Sequence, residues 1–231
     1  GQQPAAEVLG AIGMPDIARR LAESAGGEEE ALRSTLDTEI KGLAAGADDW
    51  LLQDAKGDAH GPFDAVVAAA PAPQSRALLG SACPAVETDC AFHPAWAVLV
   101  VFDPAPAAAR HAALIDEPEP PLTRLFRQGA KPGRSLEGRE AWVGHASSEW
   151  STFHLEQEKE AVAAALLPTL LRSLGLDPTN TPKPAYLAAH RWRYAVVKKP
   201  IGRAYWMSEA SASLPGPLGC CGDWRIGPKA G

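Results

Sequence analysis

The stretch Leu218–Gly231, LGCCGDWRIGPKAG, decides how this chain is read. A short apolar run, Leu218 to Cys221, meets Gly222-Asp223-Trp224, and the spaced glycines Gly227 and Gly231 follow. A strand running into glycine lets backbone come close to a bound polar group, and the next carboxylate can accept hydrogen bonds from it. The same residues also suit a solvent-facing turn with an aspartate cap. The N-terminal residues show no strand followed by GxGxxG, the usual opening of a dinucleotide-binding domain. An α/β fold that carries a ligand-facing junction near its C-terminal end is therefore expected, without its usual first unit.

Working outward, 231 residues suffice for one sizeable core or two modest domains. Apolar residues at 46% and charged residues at 22% fall in the ordinary globular range. The net charge of -6 argues against a nucleic-acid surface, which needs a concentrated basic footprint. The densest basic stretch, His190–Arg193 with Lys198 and Lys199, is local and mixed with aromatics. The longest apolar stretch, Ala95 to Phe102, has the size of a buried strand, so no membrane span is expected, nor is a retained secretion signal.

Cys83 and Cys90 stand seven positions apart and Cys220 and Cys221 are adjacent, neither of which is a zinc-knuckle or redox-motif spacing. Buried thiols are expected, and with them an intracellular setting, cytoplasmic or in an organelle stroma or matrix. His93, His111 and His154 form no metal-ligand pattern, so no metal is expected. Ser147-Ser148 lacks the strand–GxSxG–helix setting of a hydrolase nucleophile.

Gly13-Met14-Pro15-Asp16 opens a short helix containing Ile17, Arg20 and Leu21. Ser34–Leu43 and Trp50–Leu52 read as strands, with Ala55–Asp58 a turn, and Phe63–Ala70 as a near-continuous buried strand broken by Pro71-Ala72-Pro73. Ser75–Leu79 suits a short helix, Trp96–Phe102 a strand, Pro118–Arg139 loop and edge, and Ala141–Ala146 a strand. Leu155, Val162, Leu166, Leu170 and Leu174 repeat at helical spacing, which predicts a helix from Thr152 to Leu174 that Pro168 bends or splits. Tyr186–Val197 is a further strand. The Trp96–Phe102, Trp142–His145 and His190–Val197 segments are expected to share a sheet, while Phe63–Ala70 is expected to pair with the region around Leu218–Cys221. The expected partition is discontinuous: residues 1–80 with 214–231 in one layered domain, and 81–213 inserted between them.

Five segments in order, GMPDIARRLA (Gly13–Ala22), FDAVVAAAPAPQ (Phe63–Gln74), WVGHASSEWSTFHLE (Trp142–Glu156), HRWRYA (His190–Ala195) and CGDWRIGP (Cys221–Pro228), resemble the renalase-like branch of FAD-dependent amine-oxidase-type proteins. The resemblance implies an FAD-binding Rossmann-like domain with an inserted mixed-sheet α+β substrate domain. It also implies that the glycine-rich opening and the final helix of the family are missing from this sequence. Residues 1–80 plus 214–231 would be the partial FAD-binding-like domain and 81–213 the substrate-type domain.

By the same resemblance, FAD is the expected cofactor and a small reduced substrate would give up a hydride to it. Gly222 and Asp223 would hold the ribityl region. Trp224 would cover one flavin edge or fill a seam. Pro71 and Ala72 would approach the flavin by backbone, or merely end the preceding strand. A pyrophosphate needs several backbone N–H donors at a helix end, which Asp223 cannot replace. Strand alternation sends Arg191 and Arg193 to one side and Trp192 to the other, the arginines orienting an anionic substrate or forming a salt-bridged surface while Trp192 packs inward. His190 reads as a packed or hydrogen-bonded strand histidine rather than a catalytic base, and Trp150 as the anchor of the long helix's start. No catalytic acid or base is assigned. The competing reading is a cofactor-free structural or interaction subunit, whose protein partner covers apolar sheet left open by the missing unit.

Overall fold

The computed structural model describes Arg20 and residues 35–83, 90–106, 113–208 and 214–227. The helix expected from Gly13 onward lies outside these residues except for Arg20, which is helical, and Pro228 and His111 also lie outside them. Two compact units are present. One comprises Gly1–Ser34 and Pro94–Arg193, the other Thr35–His93 and Tyr194–Gly231.

The first unit is built on a five-stranded sheet in the order β6-β7-β8-β5-β9. Its strands are β5 (Ala91–Phe102), β6 (Leu114–Asp116), β7 (Leu122–Arg127), β8 (Glu140–Ala146) and β9 (Tyr186–Lys199). The three segments expected to share a sheet, around Trp96, Trp142 and His190, do so. Antiparallel register sets Val100 opposite Trp142 and Val98 opposite Gly144. The two-residue period then puts Trp96, Val98, Val100 and Phe102 on one buried face with Trp142 and Ala146. Val162, Leu166 and Leu170 of the long helix join the same core. Gly144 allows this close approach, since a Cβ there would stand 2.8 Å from Leu125 Cδ2 and 3.1 Å from Val98 Cγ1.

The expected single helix is two. The short one is Ser148–Phe153 and the long one Lys159–Ser173. The Ser147 hydroxyl caps the short helix by accepting from Trp150 N at 3.2 Å. The helix ends because carbonyls beyond it are taken by other donors: Trp96 Nε1 donates to His154 O at 3.0 Å and Arg191 Nη1 to Leu155 O at 2.7 Å. Pro168 does not split the long helix, whose buried leucines hold it through the lost hydrogen bond. Within Pro118–Arg139, expected as loop and edge, β7 is an interior strand. Its alternation is hidden by a bulge between Leu122 and Arg124, which turns both Leu122 and Leu125 into the core.

Among the described residues, the second unit holds two three-stranded sheets. The strands β1 (Ile40–Ala45), β2 (Trp50–Asp54) and β3 (Ala59–Phe63) form an antiparallel meander. β1 starts later than expected because Asp37 adopts a left-handed backbone, φ 54°, which interrupts extension before Ile40. The Ala55–Asp58 turn is built on Asp54, whose Oδ1 accepts from Lys56 N at 2.8 Å and Asp58 N at 2.9 Å. Its Oδ2 lies 3.0 Å from His60 Nε2. The His60 hydrogen bond holds the Asp54 carboxyl below the ordinary aspartate range, against the opposing pull of burial and with help from the two backbone donors.

The other sheet pairs β4 (Val66–Ala68) in parallel with β11 (Leu218–Cys221), in the register Leu218 to Val66 and Cys220 to Ala68. β10 (Tyr205–Met207) flanks β11 antiparallel. This is the pairing expected between the Phe63–Ala70 region and the C-terminal junction. β4 is shorter than the apolar run that announces it, because only Val66 and Ala68 face the core while Val67 is 51% exposed. Trp50, Leu79, Cys83 and Trp224 complete that core, and Trp50 Nε1 donates to Gly216 O at 3.2 Å.

Truncating Leu166, fully buried at the centre of the first core, should lower unfolding free energy by about 2–5 kcal/mol. Urea unfolding of Leu166→Ala, with an unchanged denaturant slope, checks this. A carboxyl whose folded pKa is depressed stabilises above its unfolded value and loses that contribution as pH falls through the folded one. The thermal midpoint of the native chain should therefore drop more steeply below about pH 4 than that of Asp54→Asn. Parallel curves for the two proteins would show that Asp54 makes no such contribution.

Candidate functional site

Parallel pairing has a geometric consequence: β4 and β11 end at the same edge of their sheet. Beyond β4 come Ala70 and Pro71, and beyond β11 come Gly222 and Asp223. In open α/β sheets this carboxyl edge is where ligands bind. Pro71 is the first residue before a helix, Ala72–Leu79, and its carbonyl accepts from Gln74 N at 3.0 Å and Ser75 N at 2.9 Å. Ala72 is buried at the helix start.

The two strand ends are tied together by one carbonyl. Ala70 O accepts from Trp224 Nε1 at 3.1 Å and from Ser75 Oγ at 2.8 Å. Trp224 is 1% exposed, so its indole fills the core beneath the junction with its N–H committed to Ala70. Gly222 has φ 145° and leads into the short helical turn Asp223–Ile226. A Cβ at Gly222 would stand 2.6 Å from Trp224 Nε1 and 2.8 Å from Cδ1, so only glycine fits the turn over the indole. Pro71, Ala72, Gly222, Asp223 and Trp224 are thus brought to one edge of one unit.

Asp223 is exposed at this edge. Its charge reaches Cys90, whose thiol is pushed up first by burial and then by the Asp223 carboxylate. Sequence reading missed Arg225, a buried guanidinium that donates from Nε to Arg203 O at 3.0 Å and from Nη2 to Tyr205 O at 2.9 Å. Its charged carbon also sits 5.2 Å from the Trp224 ring centroid. In return Gly202 N donates to Arg225 O at 2.6 Å. Only its place directly after Trp224 could have drawn attention to it, since a lone arginine in a loop carries no pattern.

Arg191 and Arg193 belong to the other unit, and they do share one side of β9 as strand alternation requires. Both meet Glu156. Arg193 holds it with Nη1 to Oε1 at 2.7 Å and Nη2 to Oε2 at 2.8 Å, and Arg191 Nη1 lies 3.4 Å from Oε2. The Arg193 hydrogen bonds hold the Glu156 carboxyl below the ordinary glutamate range despite opposing desolvation, and the charges of Arg193 and Arg191 add to this. The Arg191 guanidinium also lies 5.6 Å from the Trp96 ring centroid. Trp192, expected to pack inward, is instead 56% exposed, with the His190 ring edge-on to it at 4.6 Å. The face of β9 carrying the arginines is the one continuous with buried Ala189, which leaves Trp192 on the open side. Trp150, expected to anchor the start of the long helix, instead lies within the short helix Ser148–Phe153 and stacks on His154 at 3.9 Å.

Among the described residues, no three His, Cys, Asp or Glu side chains gather to hold a metal. No described helix is long and apolar enough to cross a membrane. No known family model matches the chain. The fold is similar to that of a solved structure described as a putative protoporphyrinogen oxidase from Exiguobacterium sp. 255-15. The TM-score is 0.60 at 18% sequence identity, covering 83% of this chain and 41% of that one. It is also similar to a double mutant of putrescine oxidase made in a redesign of cofactor binding, with a TM-score of 0.50 at 14% identity, covering 78% of this chain and 38% of that one. The chain therefore spans about two fifths of the length of these structures. Its described architecture of mixed sheets and helices is similar to the part of those two folds that it covers.

Replacing Gly222 by alanine forces a methyl group into the Trp224 indole and strains a positive-φ backbone. A loss of about 1–3 kcal/mol in unfolding free energy is expected, with reduced burial of tryptophan in emission spectra. A variant as stable as the native chain would show that the turn tolerates a side chain.

Proposed function

We propose that this chain is part of an FAD-dependent oxidoreductase in which the edge formed by Pro71, Ala72, Gly222 and Asp223 receives the ribityl region of the flavin. The observation that carries the reading is the parallel pairing of β4 and β11, because it sets a bare-backbone glycine and an exposed carboxylate beside a second strand end. Those residues suit a polyhydroxylated chain: Gly222 admits close approach and Asp223 accepts from a hydroxyl. They do not suit a pyrophosphate, for which no glycine-rich strand–turn–helix occurs among the described residues. The order of the five sequence segments supports the narrower, renalase-like branch.

When bound, the flavin supplies the hydride acceptor, and the reaction is oxidation of a small reduced substrate. The chain's own residues bind and orient the cofactor, with Trp224 supporting the junction from below. Of the two readings of Arg191 and Arg193, the ion-paired one is favoured by the two-point clasp on Glu156. A substrate-orienting role requires an anion to displace that carboxylate. A second reading, a cofactor-free interaction subunit, draws on one apolar row. Val67 at 51% exposure and Met207 at 49% flank Gly219 on the open side of the β10-β11-β4 sheet.

The intact natural protein, reconstituted with FAD, should show the oxidised-flavin absorbance bands and bleach anaerobically with a suitable reduced donor. Removing one charge-assisted hydrogen bond, worth about 1.5–3 kcal/mol, predicts that Asp223→Ala weakens FAD binding by roughly 10- to 150-fold. A natural protein that stays colourless after reconstitution and elutes only with a protein partner would support the second reading instead.

A further inference from the structure

The four thiols, none in a disulfide, are not equivalent. Cys83 follows the 3₁₀ turn Gly80–Ala82 that continues the Ala72–Leu79 helix, and Cys220 lies on β11. They are 137 residues apart in sequence, yet their sulfurs are 3.5 Å apart and both residues are 0% exposed. The sequence pairs, Cys83 with Cys90 and Cys220 with Cys221, are not the spatial pair. β11 alternation turns Cys220 into the core with Leu218 and leaves Cys221 only partly buried.

We propose that Cys83 and Cys220 form a redox site, a dithiol that a small neutral peroxide converts to an internal disulfide. A disulfide needs sulfurs about 2.05 Å apart, so the gap to close is roughly 1.5 Å. Cys220 is held on both sides by ladder partners, Trp206 and Ala68, whereas Cys83 lies outside any helix or strand and supplies the movement. Complete burial of both thiols favours a small neutral oxidant over a bulky, charged disulfide such as oxidised glutathione.

In the first step the Cys83 sulfur, its proton released, attacks one peroxide oxygen. The O–O bond breaks, hydroxide leaves and takes up a proton to become water, and Cys83 becomes a sulfenic acid. In the second, the deprotonated Cys220 sulfur attacks the Cys83 sulfur. The S–O bond breaks, the S–S bond forms, and the hydroxyl leaves as water with the second thiol proton. Two thiols lose two electrons, and one peroxide becomes two waters. The bridge joins the end of the helix that begins at Ala72 to the strand that delivers Gly222 and Asp223, so oxidation fixes both elements bordering the candidate site. The inference does not depend on the flavin reading.

The test exposes the folded chain to hydrogen peroxide, removes the excess with catalase, then unfolds it in N-ethylmaleimide and maps the peptides. The expected result is a Cys83–Cys220 bridge forming before any other pair, with Cys90 and Cys221 carrying maleimide and dithiothreitol reversing the change. Closing so long a loop should raise the thermal midpoint by roughly 5 °C or more. Because Cys220 and Cys221 are adjacent, the bridge should survive Cys221→Ser and vanish in Cys220→Ser. Maleimide on both Cys83 and Cys220 after the other thiols have oxidised would overturn the proposal. So would a bridge to Cys221, irreversible oxidation without a bridge, or equal bridging rates in the urea-unfolded chain.

Discussion

The carbonyl of Ala70 is the point on which the second unit turns. It accepts the indole N–H of Trp224 and the hydroxyl of Ser75, so the end of β4, the helix begun at Ala72 and the turn after β11 share one acceptor. A buried indole N–H without a partner is costly, and truncating a buried tryptophan costs about 3–5 kcal/mol. The same contact fixes Gly222, since the Trp224 ring occupies the space a side chain there would need. Arg225 then fastens the turn to the backbone at Arg203 and Tyr205. One sequence cluster, Gly222 to Arg225, thus supplies the backbone freedom, the anchor and the clamp of the candidate site.

In the first unit the corresponding constraint is the sheet face carrying Trp96. Its backbone N–H donates to Ser151 Oγ at 3.0 Å and its indole N–H to His154 O, so the strand, not the helix pattern, determines where the short helix stops. Glu140 brings a nearly buried carboxylate to the end of β8. Arg127 meets its Oε2 at 2.7 Å, and this pairing raises the affinity of the Arg127 guanidinium for its proton. Removing Arg127 would take from the nearly buried Glu140 carboxylate its charged partner, which is more damaging than losing an exposed pair such as Arg193 with Glu156.

What could be read from the sequence follows from apolar runs and the residues that end them. Trp96–Phe102 was legible as an unbroken apolar run of strand length closed by Pro104, and Ala141–Ala146 as a short segment before Ser147-Ser148. The partnership of the Phe63–Ala70 region with Leu218–Cys221 was legible because both are short apolar runs ending in turn residues. β3 was illegible, since AHGPF carries a glycine, a proline and mostly exposed side chains. β7 was hidden by its bulge, and the break at His154 by long-range acceptors that no local pattern records. The residues of the candidate edge were found through their turn chemistry. Their support, the buried Arg225 and the Ala70 carbonyl, could not be, because a main-chain acceptor has no sequence signature. The contact of Cys83 with Cys220 was invisible for the same reason: it depends on strand register across 137 residues.

The central claim is that β4 and β11 deliver one ligand edge together. Hydrogen–deuterium exchange of the intact natural protein, with and without FAD, tests it most directly. Peptides covering residues 66–72 and 218–224 should gain protection together when the flavin binds, while those of the Trp96 core stay unchanged. Bound FAD with no change in either segment, or protection of one without the other, would contradict the account.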